Sequence, residues 1–146
     1  MKQLEAEMTL RGMSKHTKEA YLRYNRDFLD SMNLNAKQVD KDDIKLYLAT
    51  LIEKGRSART VALARSALLF YYNEVLERGF TNIRAPKIPK SLPKYLTQQQ
   101  VANLIEAAAT KQSKLMIKLM YACGLRVSEL VKLRHEDISE EGTLTI

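Results

Sequence analysis

Apolar residues recur along this chain at helical rather than alternating spacing. Leu4 and Met8 stand four apart in a short first helix that Gly12 ends. Ser14 is placed to cap a second helix, whose apolar positions Tyr21, Tyr24, Phe28, Leu29 and Met32 keep close to a 3.6-residue period. Asp40 opens a third, with Ile44, Tyr47, Leu48, Leu51 and Ile52 on one face and Gly55 as its stop. Ser57 opens the longest, running through Leu63, Leu68, Tyr71, Tyr72 and Val75 to Gly79. The pattern predicts a mainly helical protein of five or six helices.

A different composition follows. Pro86, Pro89 and Pro93 fall within eight residues of the segment APKIPKSLPKYLT, a spacing that no helix or central strand accommodates. This reads as an extended linker at residues 86–96, between a domain at 1–85 and another at 97–146. Thr97, with Gln100 three residues on, forms a capping box for a helix carrying Val101, Leu104, Ile105 and Ala108. Leu115 to Ala122 is apolar except for Lys118, which predicts a buried helix, and Gly124 stops it. A short helix over VSELVKL comes next. The final GTLTI has the alternation of a strand but no partner strand to pair with, so the second domain reads as truncated.

Composition narrows the chemistry. The 146 residues include one cysteine, Cys123, which excludes an intrachain disulfide and a cysteine-based zinc site. Two histidines, His16 and His135, are too few for a His-rich metal site, and no cofactor is expected. The start MKQLE lacks the apolar core of a signal peptide, and no apolar run approaches a membrane span. A soluble, cytoplasmic protein is the expectation.

Charge is concentrated. Lys and Arg outnumber Asp and Glu by 24 to 17, for a net charge of +7. Residues 54–94 alone carry +7 and residues 11–26 carry +4, so the rest of the chain sums to −4. Two basic segments in an otherwise mildly acidic chain suit a polyanion. Both lie at helix starts with the same opening, Ser14-x-x-Thr17 and Ser57-x-x-Thr60, where bases oppose the helix dipole. A bound phosphate relieves that conflict. The expected contacts to nucleic acid are Lys15, His16 and Lys18 in the first segment, Arg56, Arg59 and Arg65 in the second, and Lys90 and Lys94 in the linker.

The most specific local signal is Tyr121-Ala-Cys-Gly-Leu-Arg126-Val-Ser-Glu129-Leu-Val-Lys-Leu-Arg-His-Glu-Asp137-Ile. It resembles the tyrosine recombinases, the phage-integrase and Xer-type family, whose first catalytic arginine lies in G-L-R-x-S-E-L followed by a leucine and a D-I pair. Gly124, Leu125, Arg126, Ser128, Glu129, Leu130, Leu133, Asp137 and Ile138 fill that pattern. The stretch RGMSKHTKEAYLRYNRDFL is similar to the opening of the family's core-binding domain, and LPKYLT to its interdomain linker.

The resemblance implies a SAM-like helical core-binding domain joined to the first helices of a mixed α/β catalytic domain, the two gripping duplex DNA. It implies cleavage and rejoining through a 3′-phosphotyrosyl link without metal or nucleotide, and tetramers on DNA in the full-length family. Arg126 corresponds to the arginine that holds the scissile phosphate, and Glu129 to a carboxylate that orients it. The family's β-hairpin lysine, His-x-x-Arg motif, further His or Trp and nucleophilic tyrosine all follow this motif, and none stands within these residues. The seven tyrosines present precede Arg126, five of them at helical core spacing, so the chain alone is expected to bind DNA and not cleave it.

Two other classes fit parts of the pattern. A non-catalytic DNA-binding regulator or architectural factor explains the charge, and a helix–Gly–helix layout over residues 113–134 invites a helix-turn-helix reading. Met120, where that motif's close crossing wants a small residue, argues against it. A helical protein–protein module explains the core but leaves both basic segments idle.

Overall fold

Side-chain caps start four of the helices where the sequence places them. The computed structural model describes residues 1–89, 94–139 and 143–145 of the chain. These divide into two compact units, Met1–Ser91 and Leu92–Ile146, and are mainly helical.

The first unit holds α1 (Lys2–Leu10), α2 (Lys15–Met32), α3 (Lys41–Glu53) and α4 (Ala58–Leu69). Ser14 Oγ accepts the Thr17 N–H at 3.2 Å, and Ser57 Oγ accepts the Thr60 N–H at the same distance. Asp40 accepts from the N–H groups of Asp42 and Asp43, while Asp43 accepts from the Asp40 N–H at 2.8 Å. Each cap satisfies donors that a helix start otherwise leaves open.

The core of this unit gathers one face from every helix. Leu4 and Met8, Phe28, Ile44 and Leu48, then Val61, Ala64, Ala67 and Leu68 are buried. Phe28 sits at the centre, edge-on to Tyr47 at 5.2 Å and to Tyr72 at 6.1 Å. Small residues Ala64 and Ala67 let α2 approach α4 closely. Tyr21 meets Phe70 at 5.6 Å, and Asn25 Nδ2 donates to the Ala67 carbonyl at 3.0 Å. Rising numbers on α2 thus meet falling numbers on α4, so the two helices run in opposite senses.

The fourth helix departs from its predicted end at Gly79. Its last stretch, Phe70–Val75, is a π-helix, and helical structure stops there. Tyr71 and Tyr72 are adjacent and both buried. Burying two consecutive large side chains on one face favours the smaller turn per residue of the i→i+5 pattern. Beyond it Glu77, Gly79 and Asn82 all adopt positive φ. Asn73 fixes this loop by giving Nδ2 to the Phe80 carbonyl at 2.9 Å and accepting the Phe80 N–H at 2.7 Å. Arg78 braces it further, donating to the carbonyls of Lys37 and Val39.

The second unit contains α5 (Gln98–Ala107), α6 (Lys111–Cys123), the one-turn α7 (Val127–Leu130) and a 3₁₀ turn at His135–Asp137. Thr97 and Gln100 form the expected capping box at α5, and Thr110 caps α6. The expected burial of α6 is not found: no described residue of it is buried, and Leu115 and Tyr121 are 57% and 53% exposed. Its packing neighbours within the unit are α5 and the single turn α7, too little surface to cover an apolar helix on all sides.

The C-terminal segment also differs from expectation, because it does find a partner. Leu144 bridges antiparallel to Ile138, with Ser139 N–H donating to the Thr143 carbonyl and Thr145 N–H to the Asp137 carbonyl, each at 2.9 Å. Among the described residues this is a bridge and not a strand. No described helix is long and apolar enough to cross a membrane.

Candidate functional site

Gly124 terminates α6 at φ 66°, a left-handed conformation that glycine adopts at no steric cost. Leu125 turns inward and is 4% exposed, anchoring the chain as it leaves the helix. Arg126 is extended and sits at the start of α7. Its backbone N–H donates to Glu129 Oε2 at 2.8 Å, and its Nη1 donates to Glu129 Oε1 at 2.7 Å. A guanidinium has no acceptor, so it cannot cap the helix as Ser or Asp does. The Glu129 and Leu130 N–H groups bond to the Arg126 carbonyl instead.

The pair has a clear electrostatic sense. The Arg126 N–H, and then its guanidinium, hold the Glu129 carboxyl below the usual glutamate range. Glu129 thus stays ionised and fixes the direction of Arg126. The Arg126 side chain remains 81% exposed, against 28% for Glu129. Because Glu129 engages one of five guanidinium N–H donors, the group keeps the fork that grips an oxyanion. The same device recurs eight residues later, where Asp137 accepts the Arg134 N–H at 2.7 Å and the Arg134 guanidinium pairs with Glu136. At four residues, α7 is too short to serve as a recognition helix of the helix-turn-helix kind.

The basic residues of the first unit form two groups. Lys15 and His16 are exposed at the start of α2, each about 4 Å from Glu19, at 4.0 and 3.9 Å. Lys18 Nζ reaches Thr9 Oγ1 at 3.4 Å. Arg56 and Arg59 are exposed at the start of α4. Since α2 and α4 are antiparallel, helix rise puts the two groups roughly 30 Å apart, at opposite ends of the pair. Lys94 is exposed, and Lys90 lies outside the described residues.

Arg65 is placed differently from the others. It is half-buried, and its Nε donates to the Ile83 carbonyl, securing the segment that leaves the unit. Arg11, counted in the basic segment, bonds to Glu7 and Glu74 at 2.8 Å and lies over Phe70. Sequence reasoning missed Arg23 as a site residue. It lines an open cleft of about 290 Å³ with Tyr24, Asp27, Tyr47, Arg56 and Thr60. The signal available was its spacing from Asp27, i to i+4 on a helix face, which by itself reads as an ordinary surface pair.

Known proteins share both halves of the chain. Residues 1–82 match the phage integrase N-terminal SAM-like domain, and residues 94–146 match the phage integrase family. The tyrosine recombinase XerA of Pyrococcus horikoshii is 36% identical over 140 residues, covering 95% of this chain and 48% of that protein. The tyrosine recombinase XerD of Haemophilus influenzae is 33% identical over 151 residues, covering 93% and 51%. A crystal structure of XerA recombinase superposes with a TM-score of 0.51 at 28% identity, covering 94% of this chain and 50% of its own. The chain spans about half the length of the curated relatives it matches. With the SAM-like match covering more than half of its residues and the integrase match following in tandem, the chain belongs to the phage integrase family of tyrosine recombinases.

Proposed function

We propose that the chain is the DNA-gripping part of a site-specific recombinase. In this reading residues 1–85 are the core-binding domain, residues 86–96 the linker, and residues 97–146 the opening of the catalytic domain. The partner is duplex DNA, the compartment the cytoplasm, and the full-length protein works as a tetramer. Lys15, His16, Lys18, Arg56 and Arg59 contact phosphates, and so do the linker residues Lys90 and Lys94. Such contacts fix position on a duplex without reading its sequence. Arg65 serves the same end indirectly, by holding Ile83 in place.

The observation that carries the catalytic half of the reading is Arg126, exposed yet aimed by Glu129 through two hydrogen bonds. A fixed, permanently charged guanidinium stabilises charge building on a phosphorus under attack, a contribution typically worth about 10²–10³ in rate. It supplies no nucleophile. These 146 residues therefore bind DNA without cutting it.

The test fuses residues 1–146 to the C-terminal half of the XerA relative and offers a nicked duplex bearing that relative's site. The fusion should give a covalent protein–DNA band on a denaturing gel. Arg126→Ala should suppress the band while binding persists, and residues 1–146 alone should give none. A band from the unfused chain, or full cleavage per bound complex with Arg126→Ala, contradicts the proposal.

A further inference from the structure

We infer that the cleft between α2, α3 and the start of α4 seats one backbone phosphate of duplex DNA, held from two sides by Arg23 and Arg56. This rests on the DNA-binding reading above and adds a contact point between the two basic helix starts.

Three elements build the cleft. Arg23, Tyr24 and Asp27 come from α2, Tyr47 from α3, and Arg56 and Thr60 from the α4 start. Tyr24 and Tyr47 are nearly buried, at 8% and 6% exposure, and give the cleft a rigid wall. Arg23 lies over the Tyr24 ring with its guanidinium carbon 4.9 Å from the centroid. That stacking orders a long side chain before any ligand arrives, so less entropy is lost on binding. Arg56 is exposed across the cleft, directly before the Ser57 cap.

Shape and charge both favour a phosphate. A concave site suits a group that projects from a duplex, as backbone phosphates do, whereas base edges are recessed in the grooves. Two guanidiniums against the single Asp27 carboxylate leave the cleft with one excess positive charge, matching one phosphodiester. Tyr47 stays protonated and can donate to an acceptor. Burial, with Asp27 and Tyr24, pushes its phenol up to about 12, while Arg23 and Arg56 pull the other way. The hydroxyl of Thr60 is a further donor on the α4 side.

One shared phosphate has a signature distinct from two separate ones, because the salt dependence of affinity counts phosphates and not arginines. The experiment measures anisotropy of a fluorescent 25-base-pair duplex of random sequence with the full chain, between low and moderate salt. Arg23→Gln with Arg56→Gln should weaken binding about tenfold at low salt and flatten the plot of log K against log[salt] by about one unit. Asp27→Asn, which removes the opposing carboxylate, should tighten binding about two- to threefold at low salt. A loss of about two slope units, no loss at all, or weaker binding with Asp27→Asn overturns the shared seat.

Circular dichroism on each variant separates a local effect from misfolding, and Asp27→Asn tests the idea through a gain that misfolding cannot mimic. Lys15→Gln with Lys18→Gln separates the two levels of the argument. If that pair weakens binding and the cleft variants do not, the cleft proposal falls and the DNA reading stands. If the unaltered chain ignores duplex DNA at low salt, both fall.

Discussion

Glu129 holds Arg126 at both ends, taking one hydrogen bond from its guanidinium at 2.7 Å and another from its backbone N–H at 2.8 Å. A single carboxylate thereby starts α7 and aims the Arg126 guanidinium. Both bonds need the carboxylate ionised, and both hold its pKa below the ordinary glutamate value.

The sign of the pH dependence follows. A group whose folded pKa is depressed contributes above its unfolded pKa, and the contribution is lost as pH falls through the folded value. The Arg126 amide should therefore titrate in a nitrogen–proton correlation spectrum with a midpoint below that of an ordinary glutamate. Glu129→Gln should abolish that titration. A midpoint at or above the ordinary value contradicts the double bond.

Asn25 is the second residue whose partners set a measurable expectation. It is fully buried between α2 and α4, giving Nδ2 to the carbonyls of Tyr21 and Ala67, while its Oδ1 has no partner among the described residues. Asn25→Ala should cost about 2–3 kcal/mol in a urea melt, from lost bonds to two carbonyls and a small cavity. Asn25→Asp should cost more at neutral pH, because a buried carboxylate offers no donor to either carbonyl. An Asp variant as stable as the parent shows that the amide is not the link between these helices.

Much of this was legible in the sequence because capping and helix periodicity are local. Ser14, Asp40, Ser57 and Thr97 cap the helices they were read to cap, and Phe28, Ile44 and Leu68 lie in the core. What escaped depends on tertiary context. The π-helix at Phe70–Val75 carries no Gly or Pro, and its register answers to the burial of Tyr71 and Tyr72. The exposure of α6 reflects which neighbours are there to cover it, and an apolar run does not reveal that. Arg65 looks like any surface base until the carbonyl of Ile83, eighteen residues on, is brought to it. At the site, the Arg126 motif was readable as a pattern, but its clamp by Glu129 and the cleft beside Arg23 needed three dimensions.

The two units should differ in local stability. Buried residues of the second unit are Val101 and Leu125 among those described, whereas the first draws its core from every helix. Few buried apolar contacts mean low opening free energies. Amide hydrogen exchange should run faster across residues 100–135 than across residues 15–75 at the same pH. Equal or stronger protection in the second unit reverses that expectation.

The proposed grip on duplex DNA through the basic helix starts is tested most directly by the salt dependence of binding. If about five phosphates are neutralised, log K against log[salt] should fall with a slope near −4 to −5. Arg56→Ala with Arg59→Ala should flatten the line by about one to two units and weaken binding to all sequences alike. An affinity that does not change with salt, or that survives loss of Lys15, Lys18, Arg56 and Arg59 together, contradicts the account.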